Sequence, residues 1–209
     1  MSEDKATKER LLACAKQEFL EKGYMKASLR SICKKADVTT GALYFFFENK
    51  EDLLSSLVED TLNGLMEQIS LHFRMEIDTN AQTAMEGDAS EDIKAAKEIL
   101  HYLYQHYDII LILLTKSQGS AYENITDRFV EIFENHYNML MEQICEKAGI
   151  PVPNRYFQHW MAHMQIDAFV HLLTYVEDEK EAIGNMQQII YFLIAGWAGY
   201  CRLDRKNVP

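Results

Sequence analysis

The chain has 209 residues, 48% of them hydrophobic, with only three prolines and nine glycines and a net charge of −11. That is enough apolar material for a substantial helical core. The longest apolar runs, such as Ile109 to Leu114, fall far short of a membrane span, which argues against an integral membrane protein.

The N-terminal segment MSEDKATKER is polar and charged and does not read as a signal peptide. Cys14, Cys33, Cys145 and Cys201 lie far apart with no CxxC pair, which fits reduced thiols in a cytoplasmic protein. The negative charge is unevenly spread. Residues 1–54 hold ten Lys/Arg against nine Asp/Glu, net +1, and the rest hold eleven against twenty-three, net −12. This division suits a two-part molecule that meets a polyanion at one end, because phosphate binding needs local positive charge. Lys26, Arg30, Lys34, Lys35 and Lys50 supply it.

In chain order, a first helix is predicted from about Asp4 to Lys22, with Leu11, Leu12, Ala15 and Phe19 inward and Gly23 as its C-cap. In the next segment Leu29, Ile32, Cys33 and Ala36 fall at i, i+3, i+4 and i+7, one apolar stripe of a short helix. Asp37-Val38-Thr39 is long enough only for a turn. Thr39 then caps a second short helix in which Ala42, Leu43 and either Phe46 or Phe47 pack inward. Two short helices joined by such a turn form a helix-turn-helix, whose second helix fits the major groove of DNA. Asn49 caps a long helix running to about Met75, and Asp78 to Ser90 reads as a loop.

The segment from Gly23-Tyr24 through Ser28, Ile32, Ala36-Asp37-Val38 and Thr39-Thr40-Gly41-Ala42-Leu43-Tyr44 to Phe47-Glu48-Asn49-Lys50-Glu51-Asp52-Leu53 resembles the DNA-binding domain of TetR-family transcriptional regulators. The signature residues span about a quarter of the chain. Two positions depart from it. Asp37 stands where the family's turn usually has glycine, and Phe46 where histidine is common, which removes one phosphate contact. The resemblance implies an all-α fold, with a DNA-binding domain at 4–50 and a ligand-binding and dimerisation domain at 51–209, linked by helix 50–75. It also implies a homodimer whose last two long helices pair with those of a second subunit. Ser28 and Lys50 are then DNA-contacting residues, Lys50 beside phosphate.

The residues themselves suggest the other DNA contacts. Thr39 and Thr40 open the recognition helix, where free backbone N–H groups face phosphate. Gly41 either admits a close neighbour or answers a turn or packing need. Tyr44 offers a hydroxyl to phosphate and Phe45 an apolar face to a thymine methyl, unless both are core.

The body reads as helices near 91–106, 107–117, 121–148, 154–177 and 179–204, with Pro151 and Pro153 marking the firmest break. The last two are apolar on more than one face. Phe157, Trp160, Met161, Met164, Ala168, Leu172 and Tyr175 make one stripe of the first of them, and Ala162, Ile166, Phe169 and Leu173 another. Ala195, Gly196, Ala198 and Gly199 around Trp197 permit close helix approach. Tyr102, Phe133, Trp160 and Met164 are candidate linings of a pocket for a small, largely apolar effector. His159, His163, Asp167 and His171 form a ladder at steps of four, but each step drifts about 40° around the helix, so no shared metal is expected. There is no GxSxG, P-loop, HExxH or dinucleotide turn, so neither catalysis nor a cofactor is expected. The expected function is a ligand-responsive regulator, a repressor, on a palindromic operator. The alternative is a helical ligand-binding protein or enzyme in which the motif is only structural.

Overall fold

The computed structural model describes residues 3–86 and 88–202. In chain order they form α1 (Glu3–Lys26), α2 (Leu29–Lys35), α3 (Thr40–Phe46), α4 (Lys50–Glu86), α5 (Ser90–Gln105) and α6 (Tyr107–Leu111). A π-helical turn (Ile112–Lys116), α7 (Ile125–Ala148), α8 (Arg155–Tyr175) and α9 (Glu179–Arg202) complete it. No strand occurs among the described residues, so the fold is all-α: an N-terminal helix-turn-helix followed by a helical C-terminal part. The chain divides into two compact units. One takes residues up to 66 together with 105–125; the other takes 67–104 and the chain from 126 onward. The first unit is therefore larger than the 4–50 segment expected for the head.

In the first unit, Leu11, Ala15 and Phe19 of α1 recur at steps of four and are fully buried. Gly23 leaves the helix with φ 72°, a left-handed value that glycine adopts without Cβ strain, and one further turn carries the chain to Lys26. Asp37 takes φ 53° in the turn after α2, the conformation Asp tolerates in glycine's place. α6 and the π-helical turn pack on α1, and Lys16 pairs with Asp108 at 2.9 Å.

α4 corrects the expected loop from Asp78, because the helix continues to Glu86. Ala81, Gln82, Ala84, Met85 and Glu86 are favourable helix formers, and no proline interrupts them. Asp88 and Ala89 are the described residues between α4 and α5, and Asp88 Oδ1 accepts from the Ser90 N–H at 2.9 Å. α7 begins at Ile125, later than expected, because Ser117 and Ser120 fold the chain into hydrogen-bonded turns first.

In the second unit, Ala96, Ile99, Leu100 and Leu103 of α5 form a buried stripe at helical period. Ala96 and Leu100 meet Leu172 of α8 and Met186 and Ile190 of α9 in one core cluster. α8 starts where Asn154 Oδ1 accepts from the Phe157 N–H, and Gln158 Nε2 donates to the Pro153 carbonyl at 2.7 Å. Its Ala162, Ile166, Leu172 and Leu173 are buried, while Tyr156, Trp160 and Tyr175 are exposed.

Candidate nucleic-acid interface

The interface is built on caps. Ser28 Oγ accepts from the Ser31 N–H at 3.4 Å to open α2, and Thr39 Oγ1 accepts from the Ala42 N–H at 3.1 Å to open α3. Asn49 Oδ1 accepts from the Asp52 N–H, and Asp52 Oδ2 from the Glu48 N–H, two hydrogen bonds that fix the start of α4. Within α3, Leu43 is fully buried and the C-cap Phe47 nearly so, which decides the choice between Phe46 and Phe47. Phe46 is half-buried and stands edge-on to Phe45 at 5.0 Å. Tyr44 and Phe45 are not core: they are 55% and 75% exposed.

Thr40 and Gly41 are exposed beside them. A Cβ placed on Gly41 would meet only Thr39 Oγ1, at 3.8 Å, so nothing within the chain requires glycine there. α3 thus offers one edge made of Thr39, Thr40, Gly41, Tyr44 and Phe45, with its hydrophobic side closed.

The cations are not equivalent. Lys50 donates to the carbonyls of Tyr24 (2.6 Å), Met25 (3.3 Å) and Ala27 (3.4 Å), and its ammonium lies 4.4 Å from the Tyr24 ring centre. An ammonium has three donors, so these three carbonyls match its full capacity and tie α4 to the end of α1. Burial, then a hydrogen bond to Glu51 and that carboxylate's charge, push the Tyr24 hydroxyl up to about 12. Lys26, Arg30 and Lys34 are exposed.

Glu18 is the residue the sequence reading missed. It is fully buried, and its carboxylate accepts from Lys22 Nζ (2.6 Å), Ser31 Oγ (2.8 Å) and the Ser28 N–H (3.4 Å), with Lys35 Nζ at 3.1 Å. Burial raises its pKa, but these hydrogen bonds outweigh that and bring it down to about 2. Lys35 is also bound by Glu21 at 3.1 Å, and the two carboxylates raise its pKa. The one available signal was an acidic residue directly before Phe19 of the buried stripe.

The second unit holds a cavity of about 60 Å³. Phe133 lines it; Tyr102, Trp160 and Met164 do not, and Trp160 is 47% exposed. The cavity turns instead on α9 and α5, whose Met186, Ile190, Ile194 and Ile99 give it an aliphatic wall. Three polar side chains, His72, Asp92 and Gln165, interrupt that wall. Elsewhere on α8, His159 Nδ1 lies 2.8 Å from Glu134 and its ring 4.5 Å from that of His163. Among the described residues, no group of three or more His, Cys, Asp or Glu is placed to hold a metal ion. Nor is any helix of those residues long and apolar enough to cross a membrane.

Comparison with known proteins agrees with this arrangement. The family model described as bacterial regulatory proteins, tetR family, matches residues 11–57. An uncharacterised HTH-type transcriptional regulator of Bacillus subtilis (strain 168), YvdT, is 28% identical over 67% of this chain and 66% of its own length. The HTH-type transcriptional repressor BepR of Brucella suis is 44% identical over 25% of each chain. The chain thus spans less than two thirds of the length of either relative. In three dimensions it is similar to the transcriptional regulator FadR from Bacillus subtilis, solved in complex with stearoyl-CoA. That match has a TM-score of 0.58 and 18% identity, covering 90% of this chain and 98% of the other. Residues 11–57 thus match the helix-turn-helix domain of the tetR family of bacterial regulatory proteins, and the chain as a whole shares its all-α fold with solved regulators of that kind.

Proposed function

We propose that the chain is a homodimeric repressor that holds a palindromic operator and leaves it when a small, largely apolar effector binds. The observation that carries this reading is α3, which buries Leu43 while leaving Tyr44 and Phe45 exposed next to Thr40 and Gly41. Two adjacent exposed aromatics beside small residues make a contiguous patch of the kind that marks an interaction surface. DNA suits this edge, since phosphate can take the Tyr44 hydroxyl and the α3 N–H groups, and a thymine methyl can take Phe45. Repression is also what the name of BepR states for that relative. Residues 4–50 serve DNA in this reading, and 51–209 serve effector and dimerisation.

A second copy is supported by α8 and α9. Tyr191 and Phe192 are 60% and 73% exposed, Ala195 and Gly196 are exposed one turn on, and a Cβ on Gly196 would meet nothing within 4 Å. Small exposed residues of this kind allow another helix to approach closely. The cavity of the second unit is the effector site in this reading, and α4 carries its effect to the head.

The test is selection of bound sequences from a random DNA library with the full-length protein. A symmetric consensus is expected, bound with a Kd of about 10 nM or tighter at physiological salt. Recovery of no preferred sequence would overturn the reading.

A further inference from the structure

The recognition helix carries a restricted set of side chains. In the major groove the base pairs differ by the donors and acceptors on their edges and by the C5-methyl group of thymine. Guanine is read by Arg or Lys, adenine by Asn or Gln, and cytosine by Asp or Glu. α3, Thr40-Gly41-Ala42-Leu43-Tyr44-Phe45-Phe46, contains none of them. The two threonine hydroxyls at its start are engaged within the chain. Thr39 Oγ1 accepts from the Ala42 N–H at 3.1 Å, and the Thr40 hydroxyl shares a hydrogen bond with the Cys33 thiol of α2. The exposed Arg30 and Lys34 belong to α2, the helix that crosses the phosphate backbone in a helix-turn-helix. Contacts of that kind fix position and carry no base identity. What α3 itself presents is apolar: the exposed ring of Phe45, with the Phe46 ring edge-on to it at 5.0 Å, a favoured geometry for an aromatic pair.

We propose that Phe45 is the specificity-determining residue of this interface and that it reads thymine, packing its ring on C5-methyl groups where α3 enters the groove. The inference rests on the operator reading above and names the base which that reading leaves open. Thymine is the base whose identity an apolar side chain recognises. Cytosine lacks the methyl, and against guanine or adenine the same ring would bury hydrogen-bonding edges without a partner. Phe46 is a positioning residue, bracing the Phe45 ring rather than touching DNA. Tyr44, whose hydroxyl serves phosphate, contributes to binding of all sequences alike. Each methyl removed from water contributes about fourfold in affinity, and a symmetric dimer on two half-sites counts that factor twice.

The experiment uses the full-length protein and duplexes selected from a random library, remade with deoxyuridine in place of thymidine one symmetric pair of positions at a time. Uracil pairs as thymine does and lacks only the C5-methyl. Thymines are expected at symmetric positions of the consensus, and uracil at the pair facing α3 should weaken binding about 10- to 20-fold by mobility shift. That comparison needs no variant, so it stands even if a substitution fails to fold. Phe45→Ala should bind the thymine and uracil duplexes within about twofold of each other, the pattern of two changes that remove one shared contact. Phe45→Leu, which keeps an apolar side chain, should restore part of the difference. Phe46→Ala should shrink it while leaving the salt slope of binding unchanged. A symmetric consensus bound equally well with uracil throughout, or a uracil penalty undiminished in Phe45→Ala, would overturn the proposal and leave the operator reading intact. Recovery of no preferred sequence would overturn both.

Discussion

At the scale of single residues, Glu18 gathers four polar partners on one buried carboxylate. Its folded pKa of about 2 lies below the ordinary 4.5, so its stabilising effect is complete above pH 4.5 and disappears as pH falls toward 2. Glu18→Gln should therefore flatten the loss of stability between those pH values and lower stability at pH 7 by about 1–3 kcal/mol. Chemical denaturation at a series of pH values measures both; an unchanged pH profile would reject the role. Because Lys35 is held by Glu18 and Glu21, Lys35→Ala should change the salt slope of DNA binding less than Lys34→Ala does. Gly41→Ala offers a cleaner separation. The new Cβ meets only Thr39 Oγ1 at 3.8 Å, and alanine is the better helix former, so the melting temperature should hold or rise. Operator affinity should fall about tenfold or more, read by mobility shift. Loss of stability instead would show that glycine serves the fold.

At the scale of elements, the α8–α9 surface makes the sharpest prediction. Gly196→Asp, where an added side chain meets nothing within 4 Å, or Ala195→Glu at the exposed position beside it, adds a charge to the α9 surface, so the monomer should fold and the dimer dissociate at micromolar concentration by sedimentation. An unaffected dimer would place the interface elsewhere. Gly119→Ala should act on stability alone. Its φ is +83° and the added Cβ would lie 2.7 Å from Met25 Cγ, so the melting temperature should drop by several degrees. The short helices were legible in the sequence because period, cap and turn residue agree at Leu29–Ala36 and Thr39–Leu43. Other features were not, for physical reasons. Asn80, Thr79 and Asp78 suggested a loop, yet nothing in that stretch breaks a helix already running. The π-helical turn at Ile112–Lys116 lies in the hydrogen-bond register, which an aliphatic run does not encode. The pairing of Glu18 with Lys35 joins positions on two helices, beyond any local pattern. Lys50 was legible as a cation, but not as the ligand of three carbonyls at the end of α1.

At the scale of the whole molecule, the proposed regulation needs only modest energy. An effector that prefers the released form by about 1–3 kcal/mol changes operator occupancy 5- to 150-fold. Spin labels on the recognition helices of the dimer should report a changed separation on adding effector. An unchanged distance with reduced DNA affinity would point to altered flexibility instead. The course of α4 has a further consequence, for how the protein melts. Thirty-seven residues form one continuous helix, which belongs to the first compact unit up to Met66 and to the second from Glu67. Splitting the chain there would sever an unbroken backbone ladder in mid-helix. Heat should therefore unfold both units in a single calorimetric transition with matching calorimetric and van't Hoff enthalpies, and a fragment ending at residue 66 should not melt cooperatively.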